Sequence, residues 1–467
     1  MKSAGVMLII VITASVYAHA QTFEQRTSKE SGLTFRNDIV ESDTFNVLAD
    51  FYAYNGGGVG VADLNGDGLL DVVFTSTSNG MSVFRNSGNL KFEDVTTSSG
   101  LRIDDKGVNT GVLIADLTGD GHADIYLCRR YLPNRFFVNN GNGTFTDRSE
   151  GSALSVAAFS TSANAFDYDR DGDLDVFLVN SGEPRRQGYL NPGVNDRLFE
   201  NEGGGRFADI TTRVGIIDKG YGLSASIGDL NNDGWPDIFV TNDFEERDKI
   251  WINQRNGTFA DSSAKAMANM SWASMGSDVA DINGDGLLDV VTVDMLPRDN
   301  YRRQTQIGGM SIYGPFFDSV QRVHNALHIN RGNGRFSNVC YIAGIAATDW
   351  SWSVLAQDFD LDGLVDLYVT NGTKRDIGDQ DFTNNLFAGD SLARADAYKR
   401  MPQSKLQDYY FRNTGGFRFS NSGISEGLGQ PEVSNGAAYG DLDNDGDLDI
   451  VVNNTDAFAT LLINRSV

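Results

Sequence analysis

The nine-residue word DLNGDGLLD, beginning at Asp63, returns six more times along this 467-residue chain, and that repetition restricts the fold more than any other feature. The further copies are DLTGDGHAD from Asp116, DYDRDGDLD from Asp167, DLNNDGWPD from Asp229, DINGDGLLD from Asp281, DFDLDGLVD from Asp358 and DLDNDGDLD from Asp441. Positions one, five and nine are always aspartate, position six is always glycine, and position three is Asp, Asn or Thr. Alternate side chains of a tight loop converge on one point, and several carboxylates held there repel unless a hard cation sits among them.

The candidate ligands are therefore Asp63, Asn65, Asp67 and Asp71; Asp116, Thr118, Asp120 and Asp124; Asp167, Asp169, Asp171 and Asp175; and Asp229, Asn231, Asp233 and Asp237. The last three loops add Asp281, Asn283, Asp285 and Asp289; Asp358, Asp360, Asp362 and Asp366; and Asp441, Asp443, Asp445 and Asp449. Calcium accepts this many oxygens at loose geometry, with a backbone carbonyl at position seven, which is Leu69 in the first copy. Magnesium demands stricter octahedral geometry, and zinc prefers nitrogen and sulfur. Up to seven Ca²⁺ ions are expected.

An EF-hand would need a bidentate Glu at position twelve and flanking helices. The twelfth residues are instead Phe74, Leu127, Leu178, Val240, Thr292, Val369 and Val452. Runs such as VVFTS, IYLCR, VFLVN and IFVTN follow the loops, and their β-branched and aromatic residues read as strands. The loops are predicted to be strand–loop–strand calcium sites.

Four loops hold three aspartates and three loops hold four at these ligand positions, 24 in all, which accounts for much of the formal charge of −25. Seven Ca²⁺ would bring that charge to −11. So acidic a chain is no partner for nucleic acid. Lys2, the apolar run VMLIIVITASV and the small-residue ending AHA form a signal peptide over residues 1–20, cleaved near Ala20. No later run is apolar for long enough to span a membrane. The mature chain, 21–467, is expected to be secreted, periplasmic or on the cell surface, and monomeric. It has two cysteines, Cys128 and Cys340, in different repeats, so calcium and not a disulfide framework is expected to staple it.

A strand of small residues precedes the loops, as in GGGVGVA, SASIG and NGAAYG, and a bulkier strand follows. Two more strands joined by a glycine turn come next, as in LFENEGGGRFAD at 198–209 and FFVNNGNGTFTD at 136–147. Small side chains suit strands that converge on an axis. Four strands in each of seven units, with first aspartates spaced by 53, 51, 62, 52, 77 and 83 residues, predict an all-β, seven-bladed β-propeller. The seventh unit stops after its third strand, and TFEQRTSKESGLTF near the mature N-terminus matches KFEDVTTSSGLRI at 91–103. Residues 22–27 are therefore expected to supply the missing outer strand and close the ring.

The repeated GVxxxDxNGDGxxDxxVTN…LFxNxGxGxF resembles the FG-GAP or VCBS repeats, whose propellers are similar to the integrin α-subunit head. DFEERDKIWINQRNGTFAD, DINGDGLLDVVTVDMLPRDNYRRQ and TDWSWSVLAQDFDLDGLVDLYVTNG resemble, more narrowly, exported bacterial proteins related to the cartilage acidic protein and UnbV group. The resemblance implies adhesion or lectin-like recognition.

The connections at the end opposite the calcium loops differ from unit to unit: 183–197, 243–249, 294–326 and 372–409. Long connections of this kind are usually functional. Trp272 and Trp350 lie nine and eight residues before their loop aspartates, on the same end. With Arg302, Arg303, Lys374 and Arg375 they could hold a glycan or protein ligand, acidic in character; the tryptophans could instead wedge between blades. Nucleophile elbow, phosphate loop and zinc signature are all missing, so the chain is read as a binding protein and not an enzyme. A lyase-like alternative would pair His324 and His328, four apart on a helix, as base and partner.

Overall fold

Each aspartate that ends a loop also begins a strand, and the apolar run behind it is buried along its length. This is the pattern of a strand covered on both faces. In the computed structural model these second strands are Asp71–Ser76, Asp124–Pro133, Asp175–Asn180, Asp237–Asn242, Asp289–Val293, Asp366–Asn371 and Asp449–Asn454. The structure describes residues 21–467 apart from 104, 106, 186–188, 192–193, 245, 307–319, 383 and 385–396, with the backbone alone at 183–185 and 189–191. The expected signal peptide lies outside the described residues.

Every second strand pairs antiparallel on one side with the small-residue strand before its loop and on the other with a third strand, which pairs in turn with a short outer strand. In the first unit the order is Val59–Ala62, Asp71–Ser76, Gly80–Asn86, Phe92–Asp94. Five such sets are separate four-stranded sheets. The second and third sets join into one larger sheet through pairing of Asp124–Pro133 with Ala157–Phe166. The chain is thus an all-β, propeller-like repeat array.

The innermost strands touch in succession, and the last, Ser434–Gly440, lies against the first, Val59–Ala62. Their small residues have a steric cause. A Cβ on Gly111 would stand 2.6 Å from the Thr161 carbonyl, and one on Gly436 would stand 2.8 Å from the Gly57 carbonyl. Apolar side chains fill the space between adjacent sets. Phe177, Leu198 and Val214 meet Ile238, Val240 and Trp251, and Phe74 and Phe84 of the first set meet Val451 and Leu461 of the seventh. Each such side chain contributes about 1.5–3 kcal/mol on burial.

Phe23–Arg26 pairs antiparallel with Thr460–Asn464, Phe23 opposite Asn464 and Arg26 opposite Leu461. The Phe23 ring is buried edge-on to Tyr410 at 5.4 Å and Phe359 at 6.0 Å. The chain then crosses the end of the molecule opposite the loops. Arg36 bridges to Phe458, Glu41 pairs with Arg375, Asp50 pairs with Arg130, and the Tyr52 hydroxyl donates to Asp243. This strap over residues 36–55 has no counterpart among the described residues of the repeats, and the sequence reading did not anticipate it.

The helix expected to carry His324 and His328 does not form. His328 sits in the third strand Ala326–Asn330, paired with Val290, because the alternation ALHIN is strand-like; His324 lies just before it. With His328 on a strand, the two rings do not share a helix face; His328 is also buried, and that burial drops its pKa to about 3.

Candidate cation loops and the opposite end

All seven loops are folded by one hydrogen-bond scheme. The position-one carboxylate accepts the position-six glycine amide, as in Gly68 to Asp63 at 2.8 Å, Gly234 to Asp229 at 2.6 Å and Gly446 to Asp441 at 3.0 Å. That glycine adopts φ from 82° to 101° in every copy, a region side chains avoid, which explains its constancy. The position-nine aspartate is the junction. Asp71 accepts the Leu64 amide at 3.1 Å from within the loop and the Asn86 amide at 2.8 Å from the third strand.

The asparagine ending each third strand then reaches sideways. The Asn86 side chain donates to the Leu442 carbonyl at 2.8 Å, Asn139 to Leu64 at 2.9 Å, Asn201 to Leu117 at 3.0 Å and Asn253 to Tyr168 at 2.8 Å. Asn330 donates to Leu230 at 2.8 Å, Asn413 to Ile282 at 3.1 Å and Asn464 to Phe359 at 2.7 Å. Every set therefore clasps the loop of the set before it, the first clasping the seventh. The sequence reading missed these residues, although the constant Asn in LFxNxG was their signal.

The loop donors fit a hard cation. Asp167, Asp169 and Asp175 bring carboxylate oxygens within 4.8 Å of one another, as do Asp358, Asp360 and Asp366, and Asp441, Asp443 and Asp449. In the other four loops position three is Asn or Thr, so its oxygen is neutral. Asp169 Oδ1 and Asn231 Oδ1 are buried position-three oxygens that accept no hydrogen bond. A buried acceptor so placed needs a partner. Burial, assisted by neighbouring loop carboxylates and opposed by the amide bonds, pushes Asp71 up to about 6 and Asp175, Asp237, Asp289, Asp366 and Asp449 up to about 7. Asp124 moves in the same direction. Without a cation these sites disfavour their own negative charge.

The opposite end is built differently. A cavity of about 150 Å³ opens on the axis, lined by one or more residues from each set: Gly57, Gly111, Phe159, Leu223, Met275, Trp352 and Asn435. Around it, the cations expected to meet a ligand turn inward. Arg302 grips Asp349 at 2.5 and 2.8 Å and Asp376 at 3.0 Å. Lys374 is buried between the Ile39 carbonyl at 2.6 Å and Asp456 at 2.7 Å. Arg375 holds Glu41 at 3.0 and 2.8 Å. These three are brought together by the strap and the two long connections.

Arg303 is exposed, and its Nε donates to the Pro297 carbonyl at 2.7 Å. Trp350 is half-buried with its ring 6.5 Å from Trp352. Trp272 lies instead in the core, among Met275, Ile282 and Cys340. Cys128 and Cys340 are buried free thiols.

A closed succession of four-stranded sets, each with an aspartate loop clasped by its neighbour, defines an aspartate-loop repeat protein of the propeller type. Residues 63–127, 116–178, 189–240 and 229–292 match the FG-GAP-like repeat, and the chain is an FG-GAP repeat, integrin-α-like protein. It is 27% identical to cartilage acidic protein 1 of Xenopus tropicalis over 40% of its length and 29% of that protein's. To cartilage acidic protein 1 of Mus musculus it is 22% identical over 73% of its length and 62% of that protein's. A stretch covering 25% of the chain and 12% of the mouse integrin alpha-3 is 28% identical. The chain thus spans less than two thirds of these relatives. Among the described residues, no helix is long and apolar enough to cross a membrane.

Proposed function

We propose that this protein is a seven-bladed β-propeller, exported after loss of residues 1–20, which binds up to seven Ca²⁺ in its loops and recognises a glycan or protein ligand at the opposite end. Phe23–Arg26 serves as the outer strand of the seventh blade. The likeness to cartilage acidic protein 1 and to an integrin α chain supports binding over catalysis. The observation that carries the reading is the inequality of the two ends. One repeats a single hydrogen-bond scheme seven times, and at the other Arg302, Lys374 and Arg375 tie unlike connections together through ion pairs with Asp349, Asp376, Asp456 and Glu41. A uniform end suits scaffolding, and a varied end suits specificity. In this reading Arg302, Lys374 and Arg375 fix the shape of the recognition end, Trp272 supports it from the core, and Trp350 and Arg303 stand at its surface.

The test is binding of the full mature chain to glycan arrays and to candidate extracellular proteins, in calcium and in chelator. A ligand whose binding falls with Trp350→Ala or Arg303→Ala but not with His122→Ala, at the loop end, supports the assignment. A ligand sensitive to His122→Ala alone would place recognition at the loops, and no ligand in either format would remove the recognition reading.

A further inference from the structure

We propose that the aromatic cluster around Tyr131 is a binding site for a neutral saccharide ring. The proposal rests on the recognition reading above and names the ligand class and residues that reading leaves open. Tyr131 lies within the strand Asp124–Pro133, where the partner strand pairs Phe159 with Arg130 and Ala158 with Leu132, so Tyr131 is the extra residue of a β-bulge. Its φ is +56°, a conformation that bulky L residues avoid, and the residue is 52% exposed. Bulges re-aim side chains and recur beside functional sites, and their left-handed position normally favours glycine. Half of the residue faces solvent, so its contacts with Phe159 and Arg130 use only part of the ring.

The ring is one exposed end of a connected aromatic cluster whose inner rings, Phe159 and Tyr52, are buried. Tyr131 lies 5.8 Å from Phe159, Phe159 lies 5.4 Å from Tyr52, Tyr52 lies 6.2 Å from Phe244, and Phe244 lies 6.4 Å from Phe51, which is 37% exposed. Phe244 also has a left-handed backbone, with φ +58°. Phe159 also lines the axial cavity, so the cluster backs onto its wall. Interplanar angles from 50° to 85° form no parallel-walled groove, and the two exposed rings, Tyr131 and Phe51, can each offer one face, which matches one flat sugar face per ring better than an extended peptide.

Charge narrows the ligand further. The guanidinium of Arg130 stacks over Phe159 at 4.6 Å and over Tyr131 at 5.6 Å, while its nitrogens pair with Asp50 at 2.5 and 2.9 Å. The cation is matched by a carboxylate, so the site offers an anionic ligand no net attraction. Two exposed rings are also too small an area for a stable protein interface. A neutral polyol with an apolar ring face fits both limits.

The experiment is saturation-transfer NMR and calorimetry on the mature chain in calcium, with tetrasaccharides of β-glucan, chitin, xylan and mannan as probes, and an acidic uronide tetrasaccharide and a polyproline peptide alongside. At least one neutral probe is expected to bind. Tyr131→Gly should weaken it tenfold or more while leaving the melting temperature equal or higher, since glycine relieves the backbone. Phe51→Ala should weaken it too. Binding undiminished in Tyr131→Gly, or binding of the uronide or polyproline alone, overturns this site and leaves the recognition reading standing. If no probe binds and no protein partner is found, both fall.

Discussion

The side-chain amide of Asn86 donates to the backbone carbonyl of Leu442 at 2.8 Å, across 356 positions of sequence, while its backbone amide is held by Asp71. One buried residue thus joins the first set to its own loop and to the seventh. Asn86→Ala leaves the Leu442 carbonyl without this donor and should cost about 1–3 kcal/mol. Asn86→Asp should cost more, because it turns a carboxylate toward the Leu70 and Leu442 carbonyls. Denaturant midpoints equal to wild type for both variants would show the clasp to be incidental.

The loops should reverse the usual acid response of a protein. An aspartate near 3.9 in the unfolded chain and near 7 in the folded one, as at Asp175 and Asp449, binds more protons when folded. Stability contributed by protonation is then present below the unfolded value and lost as pH rises through the folded one. The metal-free protein should melt higher at pH 5 than at pH 7.5. Calcium, which binds the charged form, should raise the melting temperature most at pH 7.5. A chelated protein that melts lower at pH 5 contradicts this account.

Phe23 tests closure at the other seam. Its ring is 1% exposed, and Phe23→Ala should cost about 3–5 kcal/mol as a core truncation. Deleting residues 21–27 goes further, because it uncovers the edge of Thr460–Asn464 and invites pairing with another chain. Light scattering should show concentration-dependent assembly of the truncated form. A monodisperse truncation of unchanged stability would argue against a closing role.

The loops and the strand order were legible because their chemistry is local: nine residues hold the whole donor set, and the apolar run behind them declares the strand. The constant asparagines could be seen but not interpreted, since their acceptors lie in the preceding repeat. The ion pairs of the basic residues were illegible for a related reason. Arg375 reads as a surface charge until Glu41, 334 positions away, is placed against it. Tyr131 gave no signal, because a bulge appears only once the partner strand is in register. The strap has no repeat to be compared with.

That pair supplies the last prediction. Arg375 and Glu41 are mostly shielded, at 14% and 13% side-chain exposure, and Arg375 also donates to the Met401 carbonyl at 3.2 Å, so the pair ties the strap to the 372–409 connection. Removing one partner strands a half-buried charge. Arg375→Ala should therefore cost about 1–3 kcal/mol, between the values for exposed and buried pairs. Hydrogen exchange over residues 39–54 should quicken while the second strands stay protected. The double variant Glu41→Leu with Arg375→Met removes both charges and keeps apolar bulk, and it should recover much of the stability and the slow exchange. If the double variant exchanges as fast as Arg375→Ala, the salt bridge is not what holds the strap. If it regains stability yet loses a ligand that wild type binds, Arg375 touches that ligand directly and is more than a brace.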